Sequence, residues 1–177
     1  MELIEIVDEE GNFTGEVIDK DEAHKKNLLH NEVCCFLIND KSQTLLQKRS
    51  ATKKFSPNKW RPCAGHVKAY ESLEDAMIRE IEEEIGVLFK KEELKLLDRR
   101  IEVLPKNSHV TYFYYLKSNL EEDKFTIQKE ELSEVKWFNI EDALNATTLN
   151  EDSYYKEKYI QLFEKLKSIY EESERNI

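Results

Sequence analysis

A short amphipathic helix with clear signals at both ends constrains the fold more than any other segment of the chain. Ser72 followed by Asp75 resembles a capping box with Asp in place of Glu, which predicts a helix start. Gly86 predicts the end of the helix, because glycine tolerates the left-handed backbone conformation found there. One side is apolar at every fourth residue, through Leu73, Met77, Ile81 and Ile85. The chain must therefore bury this side against another layer of structure.

A second side of the helix carries closely spaced carboxylates. Glu80, Glu83 and Glu84 stand at positions i, i+3 and i+4, so they share one face. Carboxylates this close repel one another unless a cation neutralises them. Oxygen ligands on a rigid helix suit a hard divalent cation, Mg²⁺ or Mn²⁺. A solvated acidic surface is the competing interpretation, and the three glutamates alone favour it.

The charge balance limits the partners of the chain. Its 177 residues include 37 Asp or Glu and 27 Lys or Arg, for a net charge of −10. This length predicts one domain, and the acidity disfavours nucleic-acid polymers, which need a basic surface. No apolar run approaches the ~18 residues of a membrane span, and the acidic residues 1–5 differ from a signal peptide. A small anionic substrate is compatible where cations are concentrated locally.

Such a concentration of cations precedes the helix. Residues 47–66 contain six Lys or Arg residues and no Asp or Glu. Lys48 or Arg49, near the end of a predicted strand, and Arg61 are candidates to hold a substrate phosphate. A solvated loop that balances nearby charge is the competing interpretation.

The cysteine pattern indicates a reducing environment. Cys34, Cys35 and Cys63 are an odd set with one adjacent pair, which is not a disulfide framework. No Cys-x-x-Cys pair is present, so a structural zinc site is not expected. We therefore predict a cytoplasmic protein.

Strand-like runs alternate with helical segments along the chain. The predicted strands are residues 3–7 and 13–18, joined as a hairpin, then 32–38, 44–49, a region within 92–103, 110–116 and 134–138. Residues 19–29 form a short helix or a loop, residues 50–64 are irregular, and helices start at Ile140 and occupy residues 151–174. This order predicts an α+β fold. Residues 1–30 form a hairpin extension packed on a domain of residues 31–177, and this domain includes the terminal helix. The hairpin and the terminal helix are each a candidate contact of a homodimer.

The spacing around the acidic helix matches a known motif. Residues 65–87 fit the pattern G-x5-E-x7-R-E-U-x-E-E-x-G-U at every fixed position, where U is a bulky aliphatic residue. On these residues the chain resembles the Nudix hydrolase family. The resemblance implies an α/β/α sandwich with a mixed central sheet, in which a loop-helix-loop presents a metal site. It also implies Mg²⁺- or Mn²⁺-dependent hydrolysis of a nucleoside diphosphate derivative or a similar small organic diphosphate.

The resemblance assigns roles within the motif. Arg79, Glu80, Glu83 and Glu84 occupy the positions at the metal site, with the three glutamates as ligands. Glu83 or Glu84 is also the candidate that activates water, and Arg79 is placed to orient Glu83, so these three form the catalytic set. A surface salt bridge is the competing interpretation for Arg79. Glu71 matches the first glutamate of the motif and takes a supporting electrostatic role near the substrate.

Two further metal ligands are candidates by the same resemblance. One is the backbone carbonyl of Ala64 or Gly65, at the start of the motif. Many family members add a glutamate shortly before a late strand, and Glu131 is our candidate, with Glu130 and Glu134 as competitors. An exposed loop carboxylate is the competing interpretation for each of the three.

Further residues match a branch of the same superfamily, namely 21–24, 29–30, 48–50, Trp60 and 65–66. On these residues the chain resembles the isopentenyl-diphosphate isomerases. His24, His30 and His66 occupy positions that form a metal site in those enzymes, so they are a candidate second metal site, with packing as the competing interpretation. Ala64, however, stands where the isomerases have a catalytic cysteine, and strand alternation turns Cys63 to the opposite face. Residues 107–112 also lack the carboxylates of the isomerases. Because the hydrolase motif is complete, we predict a hydrolase, with the isomerase as the alternative and a non-catalytic binding module as a third hypothesis.

Overall fold

The structure is a computed structural model that describes residues 1–176. The described part of the chain contains the strands β1 Leu3–Val7, β2 Phe13–Asp19, β3 His30–Ile38, β4 Gln43–Arg49, β5 Trp60–Arg61, β6 Cys63–His66, β7 Lys95–Glu102, β8 His109–Lys117 and β9 Leu132–Asn139. Its α-helices are α1 Lys20–Lys26, α2 Leu73–Ile85, α3 Ile140–Thr148 and α4 Ser153–Arg175. None of the described helices combines the length and the apolar character of a membrane span.

Strand β3 organises the central sheet. It pairs antiparallel with β1, β4 and β6, and parallel with β8, where His30 aligns with His109 and Ile38 with Lys117. Strand β9 extends the sheet beyond β4, and β7 extends it beyond β8. Parallel and antiparallel pairs in one sheet make it mixed, so the predicted α+β class is confirmed.

Alternation along β3 builds a core on each face of the sheet. The strand is almost fully buried on both faces, as expected for a central strand with a continuous apolar run. One core joins β3 to α2 through Val33, Cys35, Leu37, Met77, Ile81 and Ile85. The other joins β3 to α4 through Cys34, Phe36, Ile38, Leu162, Phe163 and Leu166. Helices therefore cover both faces of the sheet, which confirms the predicted α/β/α sandwich.

The N-terminal hairpin forms as predicted, with Leu3 of β1 opposite Asp19 of β2. The segment that follows, which the sequence left as a helix or a loop, is the short helix α1. Asp19 caps its start, and Asn27 ends it in the left-handed conformation at φ 52°. Because Ile6 of β1 pairs with His30 of β3, the hairpin contacts the sheet where β3 begins. The domain boundary at residue 30 stays a prediction.

The prediction of an irregular segment over residues 50–64 was wrong at its end. Trp60–Arg61 form β5 against β4, and Cys63–His66 form β6 against β3. Pro62 between them suggests a turn, and both strands are too short to produce an alternating pattern. Strand β6 contains Gly65, so the start of the motif is part of the central sheet.

Helix α2 has the ends that the sequence predicts. Ser72 accepts a hydrogen bond from the backbone N–H of Asp75, and its hydroxyl donates to the Asp75 carboxylate. Gly86 ends the helix at φ 72°, and a Cβ atom there would lie 2.9 Å from the backbone oxygen of Thr126. The two ends set the extent of the helix, and its buried apolar side sets the direction in which the glutamates face.

Candidate functional site

Strand β6 and helix α2 contribute to one wall of a cavity of about 580 Å³, called here the motif cavity. The rest of its lining comes from the N-terminal segment with α1, from β3, from the end of β4 and the loop after it, and from the turn before β9. The predicted site residues that line it are His24, Arg49, Ala64, His66, Arg79, Glu80, Glu83, Glu84 and Glu131. The predicted site residues that do not line it are His30, Lys48, Arg61 and Glu71.

Arg79 connects the acidic groups of the motif. Its Nε and one terminal nitrogen donate to the two oxygens of Glu71, at 2.8 and 2.9 Å. The other terminal nitrogen donates to Glu80 at 2.7 Å and to Glu83 at 3.3 Å. These bonds, the one to Glu71 foremost, raise the pKa of Arg79 well above its ordinary value. The predicted contact with Glu83 is therefore present but is the longest of the set, and Glu71 anchors the guanidinium.

Glu84 is the most buried glutamate of the motif, with 6% of its surface exposed. The side-chain amide of Gln47 and the thiol of Cys63 both donate to its Oε2 atom, at 2.6 and 2.8 Å. Burial outweighs these bonds and raises the pKa of Glu84 to about 7. Its other oxygen, Oε1, accepts no hydrogen bond within residues 1–176. One oxygen is thus held by the protein while the other is available to a cation or a water.

Glu80 lies directly over Gly65 of β6. A Cβ atom at position 65 would stand 2.1 Å from the carboxyl carbon of Glu80, so only glycine leaves room for this carboxylate. Burial raises the pKa of Glu80, against the effect of the hydrogen bond from Arg79. The carboxylate therefore lies next to the peptide that links Ala64 and Gly65, whose carbonyl is a predicted ligand.

This set of donors fits a hard divalent cation. Glu80, Glu83 and Glu84 line one cavity, and two of the three have a raised pKa because burial removes the water that would solvate their charge. A cation among them would replace that water and favour the ionised carboxylates. Oxygen donors suit Mg²⁺ or Mn²⁺ better than a softer metal.

Glu131 reaches the motif cavity from the turn before β9. Its carboxylate is paired with the ammonium of Lys53, with a separation of 2.6 Å, and both side chains line the cavity. The competing candidates Glu130 and Glu134 do not line it. Of the three glutamates, Glu131 is therefore the one that the structure brings to the site.

Three cations of the basic segment line the same cavity: Arg49, Lys53 and Lys54. The Nε of Arg49 donates to the backbone oxygen of Phe55 at 3.0 Å, which fixes the direction of the side chain. Its two terminal nitrogens form no hydrogen bond in the described part of the chain. Arg49 is therefore free to bind an anion.

Two predicted phosphate-binding cations have other contacts. The ammonium of Lys48 lies 5.8 Å from the centre of the Trp60 ring, and Lys48 does not line the cavity. Arg61 donates to the backbone oxygens of Trp60 and Thr147 and to the carboxylate of Glu151, the last at 2.7 Å. These bonds tie β5 to the end of α3 and to the segment that follows it. Most donors of Arg61 are thus used within the protein.

The structure brings His24, His30 and His66 together. One ring nitrogen of each lies within 4.8 Å of those of the others, and Nε2 of His24 is 3.0 Å from Nε2 of His66. His30 is fully buried, and its Nε2 has no hydrogen-bond partner among the described residues. Oε1 of Glu32 lies 3.3 Å from His66 Nε2 and 3.8 Å from His30 Nε2. Three imidazole nitrogens and one carboxylate therefore lie close together, and one of these nitrogens has no partner among the described residues. Such a set of donors fits zinc or manganese.

A buried polar cluster that the sequence did not reveal continues from Glu32. Nε2 of His109 lies 3.6 Å from Glu32 and shares a 2.6 Å hydrogen bond with Glu102. Glu102 also accepts a 2.8 Å bond from the ammonium of Lys158 on α4. Glu32 alone had a usable signal, because it follows His30 by two residues and shares its face of β3. The others lie on β7, β8 and α4, remote from Glu32 in the sequence.

Comparison with known protein sequences finds a family and named relatives. The family model described as NUDIX domain matches residues 28–159. An isopentenyl-diphosphate Delta-isomerase of Aliivibrio fischeri is 30% identical over 161 residues, which cover 86% of this chain and 88% of that protein. An uncharacterized Nudix hydrolase of Clostridium acetobutylicum is 29% identical over 143 residues, which cover 74% of this chain and 66% of that protein. The similar sequences thus include proteins named for isomerisation and for hydrolysis.

Comparison with solved structures finds the same fold. The crystal structure of DR0079 from Deinococcus radiodurans aligns with a TM-score of 0.72 at 22% identity, covering 91% of this chain and 99% of that one. The NUDIX domain of Shewanella oneidensis NrtR, solved with ADP ribose, aligns with a TM-score of 0.58 at 20% identity, covering 85% of this chain and 98% of that one. At these identities the comparison establishes a shared fold.

Proposed function

The chain belongs to the Nudix family, close to its isopentenyl-diphosphate isomerase-like members, and from this premise we propose that it is a Nudix-type pyrophosphohydrolase. It cleaves the diphosphate linkage of a nucleoside diphosphate derivative or a similar small organic diphosphate, with Mg²⁺ or Mn²⁺ as cofactor. The observation that carries the proposal is the motif cavity, which is lined by Glu80, Glu83 and Glu84 and by the cations Arg49, Lys53 and Lys54. The positive charges of a metal held by these carboxylates and of the nearby cations would together balance the negative charges of a diphosphate.

The motif glutamates would hold the metal and move a proton. Glu80, Glu83 and Glu84 are the proposed ligands, with the carbonyl of Ala64 and the carboxylate of Glu131 as further oxygen donors. When bound, the metal neutralises phosphate charge and acidifies a water molecule. Glu83 or Glu84 would accept the proton of the attacking water. The water oxygen forms a bond to phosphorus, and the bond from phosphorus to the bridging oxygen breaks, so the bridging oxygen leaves with the second phosphate group.

The remaining charged residues position these groups. Arg79 holds Glu80 and Glu83, and Glu71 in turn holds Arg79 through two hydrogen bonds. Arg49 is the proposed phosphate contact because its terminal nitrogens are free of protein partners within the described residues. A guanidinium binds phosphate through two parallel hydrogen bonds, which also orients it.

A hydrolysis assay on a panel of organic diphosphates, with Mg²⁺ and with Mn²⁺, tests the proposal. We expect phosphate-containing products from at least one nucleoside diphosphate derivative. The variants Glu83→Gln and Glu84→Gln should each lower kcat by about a hundredfold or more while remaining folded. Glu82→Gln is the matched control, because Glu82 is exposed on the same helix and does not line the motif cavity. Full turnover in both glutamine variants would contradict the assignment.

We also propose that His24, His30 and His66 form a second metal site, with Glu32 as an additional ligand. The support is the unpartnered Nε2 of the buried His30 beside the other two rings. Metal content after incubation with Zn²⁺ or Mn²⁺ and dialysis tests it. His66→Gln should lose about one metal equivalent per chain, since a missing ligand weakens binding severely. Glu22→Gln, on the exposed surface of α1, is the control and should lose none.

Isomerisation of isopentenyl diphosphate is the second candidate function. The similarity to a protein named as that isomerase favours it, as does the histidine cluster. The lining of the motif cavity opposes it, because Ala64 stands at the position of the isomerase cysteine. The thiol of Cys63 is buried and donates to Glu84 instead. Incubation with isopentenyl diphosphate should yield no dimethylallyl isomer, and its appearance would reverse the order of the two candidates.

We further propose a cytoplasmic location and a homodimer. All three cysteines are free and buried, which supports the proposed cytoplasmic location. The proposed homodimer would use the N-terminal hairpin or α4, and light scattering on the purified protein measures its mass directly. A monomeric mass at working concentration would contradict the dimer.

A further inference from the structure

A second, smaller cavity of about 230 Å³ adjoins the motif cavity on the side of α4, and it is called here the inner cavity. It also receives residues from β7 and β8, among them Glu102 and His109, and Lys158 from α4. Five residues line both cavities and mark their junction: Glu32, Arg49, Phe55, Ala64 and Glu84. A substrate with its diphosphate beside the motif glutamates therefore has the inner cavity immediately next to it.

Lys158 places a buried ammonium group at the inner cavity, with 6% of the residue exposed. One of its N–H groups donates to Glu102 at 2.8 Å. The rings of Tyr155 and Tyr159 lie 4.2 and 5.3 Å from Nζ, and the nearer ring attracts a second N–H to its face. An ammonium has three donors, and Nζ forms no further hydrogen bond among residues 1–176. One donor is thus left for a group that enters the cavity.

Glu102, the partner of Lys158, has no capacity left for a ligand. Its Oε1 accepts from Lys158 and from the hydroxyl of Tyr154, and its Oε2 is hydrogen-bonded to His109 and Thr111. Four partners fill the acceptor positions of a carboxylate. Glu102 therefore holds Lys158 in place and balances its charge, while the remaining donor of Lys158 stays available.

We propose that the inner cavity binds the organic group of the substrate and that Lys158 selects a group bearing a hydroxyl or carbonyl oxygen. The inference rests on the proposed hydrolysis of a diphosphate in the adjoining motif cavity. It names the class of group attached to that diphosphate: a polar ring with an oxygen acceptor, as in a sugar or a carbonyl-bearing base. Lys158 is then a specificity-determining residue outside the motif.

Desolvation is the physical basis of this selection. A group that enters the inner cavity removes the third donor of Lys158 from contact with solvent. A hydrocarbon chain would leave this donor unpaired in a buried place, which is costly, whereas an oxygen acceptor restores a charge-assisted hydrogen bond. The volume of about 230 Å³ is below the ~300 Å³ at which pockets for drug-sized ligands begin. The cavity is therefore sized for one compact group, such as a sugar or a nucleoside.

Binding of non-hydrolysable probes tests the selection separately from hydrolysis. The probes are methylenediphosphonate, in which carbon replaces the bridging oxygen, its uridine ester and its dimethylallyl ester. Calorimetry in the presence of Mg²⁺ measures the affinity of each probe for the wild-type protein, for Lys158→Met and for the control Lys165→Met. Lys165 lies on the same helix, pairs with Asp98 at the surface and lines neither cavity.

We expect the uridine probe to bind the wild-type protein at least about tenfold more tightly than the other two probes. Lys158→Met should remove this advantage and leave the affinity for methylenediphosphonate unchanged, while Lys165→Met should change neither. Equal wild-type affinities for the uridine and dimethylallyl probes would overturn the proposal, and so would an unchanged preference in a folded Lys158→Met. If Lys158→Met does not fold, the comparison of the uridine and dimethylallyl probes on the wild-type protein still tests the proposal.

The hydrolysis assay gives an independent result. Selective probe binding without turnover of any diphosphate would reject the proposed function and leave the selection by Lys158 standing. Turnover without probe preference would support the proposed function and reject the selection. The two proposals therefore fail in different measurements.

Discussion

Gln47 of β4 donates a 2.6 Å hydrogen bond to Oε2 of Glu84 on α2, and both side chains are almost fully buried. The thiol of Cys63 donates to the same oxygen at 2.8 Å. With Oε2 held by two donors, the carboxylate has one orientation, in which Oε1 is the oxygen left for metal or water. A functional group locked by supporting hydrogen bonds loses little freedom when it acts.

Removal of the donor at Gln47 should slow hydrolysis more than it weakens substrate binding. Gln47→Leu nearly keeps the shape of the side chain, but Glu84 then retains one donor on Oε2 and is free to turn. We expect kcat to fall about tenfold to a hundredfold with little change in KM. Steady-state kinetics on a substrate from the panel measure both values. Gln161→Leu, on the partly exposed side of α4, should keep the wild-type kcat. A wild-type kcat in Gln47→Leu would rule out a positioning role.

Replacement of Arg79 by lysine tests the contacts that connect the motif glutamates. Lysine keeps the charge but lacks the planar fork that reaches Glu71 and Glu80 together. We expect kcat/KM to fall by about a hundredfold and the free energy of unfolding by about 1–3 kcal/mol. Kinetic assays and urea titration measure these changes. Arg100→Lys, which alters an ion pair with Asp98 away from the motif cavity, should leave kcat/KM unchanged.

Addition of one methyl group at Gly65 should displace Glu80, a proposed metal ligand, without unfolding the protein. The Cβ of Gly65→Ala would lie 2.1 Å from the carboxyl carbon of Glu80, the end of a flexible side chain that is able to move away. We expect the free energy of unfolding to stay within about 1 kcal/mol of wild type, and hydrolysis to fall about a hundredfold. Thermal unfolding and the panel assay measure the two effects. Glu80→Gln should show a similar loss, and a fully active Gly65→Ala would argue against Glu80 as a ligand.

The buried carboxylate of Glu102 should make the free energy of unfolding depend on pH. Burial opposes its ionisation, but the bonds from His109 and Lys158 prevail and lower the pKa of Glu102 to about 2 from an ordinary value of 4.5. Its stabilising effect is therefore fully present above about pH 4.5 and is lost as the pH falls towards 2. We expect Glu102→Gln to be less stable than wild type by about 2–4 kcal/mol at pH 7, and this difference to shrink between pH 4.5 and 2.

Urea unfolding of both proteins at a series of pH values measures this difference. Glu141→Gln is the control, because Glu141 is exposed in the first turn of α3. Its stability should follow that of the wild-type protein at every pH. A difference between wild type and Glu102→Gln that stays constant across the acid range would contradict the lowered pKa.

The motif part of the site was predictable because its geometry is local. Ser72 and Gly86 mark the ends of α2, and the helical period then places Glu80, Glu83 and Glu84 on one face. The capping and turn interactions involved span only a few residues, so a sequence pattern carries them in full. The buried strand β3 was predictable for the same reason, from its uninterrupted apolar run.

The basic segment shows where such patterns stop. Lys48 and Arg49 are neighbours in sequence, yet Arg49 lines the motif cavity and Lys48 lies against Trp60. Adjacent side chains of a strand point to opposite faces, and the sequence does not say which face of β4 meets the motif. Arg61 was a phosphate candidate, but its guanidinium meets Glu151, which lies 90 residues further along the chain.

The sequence by itself determined the Nudix family, the acidic helix with its two ends, and the candidate histidines. Only the tertiary structure decided that Glu32 joins those histidines and that an inner cavity with Lys158 adjoins the motif cavity. Strand pairing of β3 with β8 and of β8 with β7, together with the packing of α4, brings these residues together. Contacts of this kind depend on distances between segments remote in sequence, and no local period or spacing encodes such distances.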